Sequence, residues 1–196
     1  MNSPTPQPLI MISKAEPCDL PEVARFVQDK YMQVFGTLPL ISGSEICLCA
    51  KRRGQLAGTI SIEFSDGERF NLEKLFGVDL RQRRKFAVFG KFVSEIPGLG
   101  PALAFEAVSY AIGAGKRFAL CCSKPLFLEM LRRKYGLDFA IVAREINHLE
   151  ISAGDAAFFE TDPRPCLYSW NLQGWHDILK EKMPPWVEID LPQGML

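Results

Sequence analysis

The sequence predicts an α/β fold: a mixed sheet covered by helices on both faces. Three observations carry that expectation. Short apolar runs alternate with stretches whose apolar residues recur at helical spacing. Two of the runs flank a basic, glycine-containing turn, the pattern of an antiparallel hairpin. The run over residues 86–94 is apolar except at Gly90 and Lys91, as a central strand buried on both faces requires.

In chain order, a proline-rich leader over residues 1–8 precedes a short strand at 9–13. Pro21 opens a helix carrying Val23, Phe26, Val27 and Tyr31 on one stripe, and Gly36 stops it. The hairpin pairs 45–50 with 55–64 around Lys51, Arg52, Arg53 and Gly54. Residues 65–85 are polar and end in a basic run at 81–85, which reads as a solvated face because no aromatic interleaving accompanies it. After the central strand, a helix over 101–115 has Pro101 in its first turn and Gly115 as its stop. A strand at 117–122 follows, then a helix at 126–135 ended by Gly136, a strand at 139–143, a polar loop and a last strand at 166–172. Residues 174–196 are expected as a C-terminal extension, a short helix and an extended end, beyond a single domain over 9–173.

The chain has 196 residues, 47% of them apolar, enough for one substantial core. Its 23 lysines and arginines equal its 23 aspartates and glutamates, so no global field draws it to nucleic acid or to an anionic membrane. No apolar run approaches the roughly 20 residues of a membrane span, and no signal-like segment opens the chain, so a cytoplasmic location is expected. The six cysteines show no C-x-x-C spacing and read as reduced thiols, and two histidines are too few for a histidine-rich metal centre.

One stretch has the form of a ligand site. Between the central strand and the next helix lie Pro97, Gly98, Leu99, Gly100 and Pro101. Two glycines permit unusual backbone angles, and the helix beyond offers N–H groups with partial positive charge, a cradle for phosphate. Glycine-rich turns between strand and helix are also common as plain connections.

The order of elements resembles the GNAT-type N-acyltransferase superfamily. That resemblance implies a mostly antiparallel sheet in which the fourth and fifth strands splay apart and admit the pantetheine arm of an acyl thioester. The family's pyrophosphate loop, Arg/Gln-x-x-Gly-x-Gly/Ala, falls on residues 95–100, with Gly98 and Gly100 in place. Glu95 stands where the family has Arg or Gln, and its carboxylate repels phosphate unless it points away. A closer likeness, over about residues 20 to 172, is to the thermostable-hemolysin-like branch, neighbour to the autoinducer-synthase-like acyltransferases. It rests on Phe26 through Tyr31 with Phe35 and Gly36, on Leu72 through Leu75, on Gly90 through Ser94, on Leu131 through Leu137, and on Phe158, Phe159, Asp162, Pro163 and Arg164.

The resemblance implies no tightly bound cofactor, acyl-CoA or acyl-phosphopantetheine as co-substrate, an acyl carrier protein as an alternative donor, and a small-molecule amine as acceptor. Donor binding is expected along Phe92, Val93 and Ser94, whose main-chain groups polarise the thioester, and along Gly98, Leu99, Gly100, Pro101 and Ala102. Catalytic candidates are Lys91, Glu63, Ser123 and Arg132. Glu63 and Glu95 are candidate bases or ordinary salt-bridged carboxylates. Lys91 is an anchor for a substrate carboxylate or an edge residue reaching water. Cys122 reads as a core thiol, since nothing near it in sequence is a base. The branch's strand carboxylate is replaced by Val88, its amide by Lys91, and the thiolate-protonating tyrosine of many relatives by Arg132. These departures keep two other readings open: a GNAT-shaped module whose chemistry has decayed, and an autoinducer-type synthase acting on S-adenosylmethionine, whose Ser-Arg strand pair is missing here.

Overall fold

The computed structural model describes residues 10–39 and 44–190. Among the described residues eight strands form one sheet in the order β6-β7-β5-β4-β3-β2-β1-β8. The strands are β1 (Ile10–Lys14), β2 (Ile46–Arg52), β3 (Gln55–Phe64), β4 (Phe86–Ser94), β5 (Phe118–Ser123), β6 (Ala140–Ala143), β7 (Cys166–Asn171) and β8 (Val187–Asp190). Only the β4/β5 and β1/β8 neighbours are parallel. The sheet is therefore mixed and mostly antiparallel, as expected. Position 9 of the predicted first strand lies outside the described residues.

The hairpin turn closes on Arg53 and Gly54, both at positive φ (52° and 80°), the primed geometry whose twist matches the flanking strands. Helices α3 (Leu99–Gly113), α4 (Pro125–Tyr135) and α6 (Leu172–Lys180) cover one face. Helices α1 (Leu20–Phe35), α2 (Asn71–Leu75) and α5 (Ala156–Glu160) cover the other. The helix predicted from Pro101 starts two residues earlier, so Leu99 and Gly100 lie in its first turn. The predicted extended end pairs with β1 as a parallel edge strand, and α6 packs through Trp175 and Leu179 into the main core. Among the described residues no helix is long and apolar enough to cross a membrane.

The basic run is not simply a solvated face. Glu73 is completely buried and accepts from the main-chain N–H of Phe70 (2.9 Å), from that of Leu80 (2.8 Å) and from Nε of Arg83, 2.9 Å from each carboxylate oxygen. Asp79 holds the other edge of that guanidinium. A short polar segment thus folds around one carboxylate, which is charge-satisfied from three directions; stripping a partner from such a pair costs about 3–5 kcal/mol.

Glu106, in the middle of α3, is the opposite case. It is 4% exposed, one carboxylate oxygen has no partner, and burial raises its pKa to about 7 from the ordinary 4.5. The native state therefore holds this proton more tightly than the unfolded chain does. Its stabilising contribution is complete below pH about 4.5 and is lost as pH rises through about 7, an amount on the order of 3 kcal/mol. Glu106→Gln should flatten the fall in stability between pH 5 and pH 8. Denaturant titrations of both proteins across that range check this, and parallel pH profiles would refute the buried carboxyl as its source.

Candidate functional site

Strands β4 and β5 begin as neighbours and then part. They pair at Phe86↔Phe118, Ala87↔Ala119 and Val88↔Leu120, and no further. Beyond that point β4 stays with β3 as far as Ser94, and β5 stays with β7 as far as Ser123. The cause lies in β4. Between the pairs Ser61↔Gly90 and Thr59↔Val93, one residue of β3 faces two of β4, Lys91 and Phe92. This is a β-bulge, which bends its strand and turns main-chain groups aside. Lys91 carries it at φ +48°, a left-handed angle that costs a non-glycine residue roughly 1–2 kcal/mol.

The opening holds a cavity of about 320 Å³. Its mouth lies between Gly90, Lys91 and Phe92 on one strand and Cys121, Cys122 and Ser123 on the other. The inner end is walled by Phe89, Val108, Trp170, Trp175 and Leu179. Trp170 and Trp175 stack there, 4.3 Å between centroids at 17°.

Main-chain alternation decides which amides face the opening. The Glu95 N–H donates to the Ala57 carbonyl of β3 (2.9 Å), and the Val93 carbonyl crowds Gly58 on the same side. Residues 93 and 95 thus point to β3, and 92 and 94 point into the gap. Among the three expected main-chain donors, Val93 is therefore spent on the sheet, while Phe92 and Ser94 turn away from β3, and of these Phe92 lines the cavity.

At the top of the gap Gly98 takes φ +85° to start α3, with the Trp186 ring beside it, 3.4 Å from the position of an added Cβ. An added Cβ at Gly100 would come within 3.2 Å of Phe92 Cζ, so glycine there lets the helix end approach the bulged strand. Leu99 and Ala102 are fully buried and Pro101 is buried beside them, which leaves main chain at the surface of this turn. The Glu95 carboxylate is paired with Lys30 of α1, so the charge facing phosphate in the expected loop is locally neutralised.

The side-chain candidates separate. The Lys91 amino group is held by Glu45, the two side chains 17% and 9% exposed, which occupies the position expected of a substrate anchor. Glu63 shares the face of β3 that carries Ser61, opposite Val88, and is not among the residues that line the cavity. Its carboxyl is pushed up by burial first and by Glu45 next, with Lys91 opposing. Ser123 borders the mouth, its hydroxyl 3.5 Å from the Lys124 carbonyl. The Ser94 hydroxyl donates to the Ile96 carbonyl (3.3 Å). Burial raises the Cys121 thiol to about 12 and Cys122 well above its ordinary value, so both are thiols and not thiolates. Arg132 is not brought to the cavity. It contacts Asp138 and Glu129, lies over the Phe139 ring (4.3 Å) and donates to the Phe139 carbonyl (3.4 Å).

A residue read only as part of a helical stripe does reach the site. Tyr31 of α1 lines the cavity together with Phe92, Cys121 and Cys122. Burial raises this phenol, the nearby thiols Cys121 and Cys122 add to the rise, and the Phe92 main chain opposes it.

A strand pair parted by a bulge, with an apolar cavity behind it and a glycine-rich helix start above it, decides the fold. The fold is that of the GNAT acyltransferases. A GNAT-family acetyltransferase from Streptococcus pneumoniae superposes with a TM-score of 0.56 at 21% identity, covering 83% of this chain and 98% of that one. The CoA-dependent acyl-homoserine lactone synthase BjaI, solved with SAM and isopentyl-CoA, gives 0.65 at 12% identity, over 94% and 95% of the two chains. FeeM, an N-acyl amino acid synthase from uncultured soil microbes, gives 0.64 at 14% identity, over 89% and 98%. No protein-family model matches the sequence, and no curated protein matches it significantly.

The pairing of Glu95 with Lys30 yields a test in solution. Coenzyme A is a phosphate-bearing probe of this turn: were its phosphates seated there, Glu95→Gln would tighten it about threefold by removing one screened carboxylate, and Lys30→Ala would weaken it by a similar factor. Isothermal titration at two salt concentrations reads both effects; variants that bind like the parent at low salt would show that no phosphate lies near this pair.

Proposed function

We propose that the protein transfers an acyl group from a pantetheine thioester to the amine of a small molecule. The observation that carries this reading is the gap between β4 and β5, open beyond Val88 and Leu120 and backed by an apolar cavity. A pantetheine arm is an extended, amide-bearing chain and can take up the edge groups that the parted strands leave unpaired. The phosphate end then meets the Gly98–Gly100 turn, and the acyl chain enters the cavity toward Trp170 and Trp175, each buried methylene contributing about 0.8 kcal/mol. GNAT-fold proteins named as CoA-dependent synthases and acetyltransferases superpose over most of the chain, which supports this reading.

In the reaction a neutral amine attacks the thioester carbon. The carbonyl oxygen gathers charge beside the Phe92 N–H, and collapse expels the thiolate, which takes up the proton the amine has lost. Glu63 serves as the base. Its half-buried carboxyl, raised by burial and by Glu45, accepts a proton more readily than an exposed one. Lys91 and Glu45 hold the bulge and present one charge pair to the acceptor. Ser123 contacts the pantetheine amides at the mouth, and Arg132 takes no part. The donor is carried by coenzyme A or by an acyl carrier protein; the neutralised Glu95 permits either.

Thermal-shift titration with coenzyme A, acyl-CoAs of graded length and an acyl-phosphopantetheinylated carrier protein tests the donor, and thiol release with a panel of amines tests the transfer. Gly100→Val, which would push a branched side chain into Phe92, should weaken donor binding at least about tenfold with Tm changed by only a few degrees. Equal affinity in that variant would remove the donor from this gap. Stabilisation by no donor at all would favour the decayed module.

A further inference from the structure

We propose that Tyr31 is a catalytic residue, its hydroxyl being the second hydrogen-bond donor, beside the Phe92 N–H, to the carbonyl oxygen of the bound thioester. This inference rests on the acyl-transfer reading above and deepens it.

The geometry begins with how α1 is tied down. Val23 and Val27 are fully buried against Cys47, Cys49 and Val93, and Lys30 is paired with Glu95 just past the end of β4. The next residue, Tyr31, is thereby delivered to the bulge. Its ring is held edge-on by Phe35, 5.4 Å between centroids at 62°, and Phe35 in turn by Phe158 (5.2 Å). Tyr31 thus lines the cavity together with Phe92 on one lip of the gap and Cys121 and Cys122 on the other.

Alternation along β4 turns the Phe92 N–H away from β3 and toward the gap, and Tyr31 lines the same cavity. A thioester carbonyl oxygen that accepts from the Phe92 N–H there lies on the side of the cavity that Tyr31 walls, and it can accept a second hydrogen bond from the Tyr31 O–H, which burial keeps protonated.

In the step itself, the amine nitrogen forms a bond to the carbonyl carbon and the C=O π pair moves onto oxygen. That oxyanion accepts from the Phe92 N–H and from the Tyr31 O–H. When the pair returns, the C–S bond breaks and sulfur leaves with its electrons. The proton released by the amine, through Glu63 or solvent, ends on sulfur, so amide and free thiol are the products. Tyr31 donates a hydrogen bond throughout and ends as it began.

Tyr31→Phe keeps the ring that packs against Phe35 and removes only the O–H. Expected is a fall in kcat of roughly 10²-fold, the effect of losing one oxyanion donor, with the KM for donor within a few-fold. Infrared difference spectra with a carbonyl-13C acyl-CoA read the contact directly: the bound carbonyl stretch should lie at higher frequency in the variant than in the parent. A variant with the parent's kcat, or with an unmoved carbonyl band, overturns the role given to Tyr31 while leaving acyl transfer intact. A parent protein that shows no bound thioester band overturns the donor site, and this inference with it.

Discussion

The extra residue in β4 is the constraint on which the rest depends. Without it, β4 and β5 would continue the pairing they begin at Phe86 and Phe118, and the cavity would be closed by ladder hydrogen bonds. A left-handed Lys91 is unfavourable in isolation, so the surroundings must hold it. They do so from both sides. The β3 register is fixed before and after the bulge by Ser61↔Gly90 and Thr59↔Val93, and the lysine side chain is tied to Glu45. Gly90, with only the Ser61 hydroxyl near the position of an added Cβ, lets the strand turn without a clash.

Helix α1 is the second half of the same device. It crosses β3 and β4 on the face opposite α3 and brings two consecutive side chains to the bulged end of the strand, Lys30 to Glu95 and Tyr31 to Phe92. One contact neutralises the carboxylate of the loop, and the other sets a tyrosine in the cavity wall beside the bulged strand. Glu95, which stands where the resemblance led to the expectation of Arg or Gln, is thus neutralised from a distant segment, a pairing visible only in three dimensions.

How much of this was legible in the sequence follows from the range of each interaction. The limits of β4, the hairpin and the glycine turn depend on local pattern and were readable, because an unbroken apolar run and a Gly-x-Gly before a helix constrain the backbone directly. The bulge was not, since Lys91 could only be recognised as unusual, and its φ depends on the register of a strand thirty residues away. Tyr31 sat on a helical stripe with Val23 and Val27 and looked like core, because periodicity cannot tell a ring whose hydroxyl is buried from one whose hydroxyl lines a cavity. Arg132 occupied a place in a motif but turned to Phe139 and Asp138, partners beyond the end of its own helix. Glu73 and Arg83 were hidden inside a polar, charge-rich segment whose composition resembles a solvated loop.

The shape of the cavity favours a chain over a small acyl head. Its volume, about 320 Å³, is roughly twice that of an apolar cavity known to hold benzene, and its inner end is walled by rings and aliphatic side chains. An acetyl group would leave most of that wall without contacts, a loss that a dense interior does not recover by relaxing. In the proposed transfer a longer acyl chain would fill it and gain apolar burial at each methylene, with the reacting carbonyl at the mouth beside the Phe92 amide. Binding energy gathered at the far end then serves to position the carbonyl, and the strained Lys91 is the backbone feature that sets where that position is.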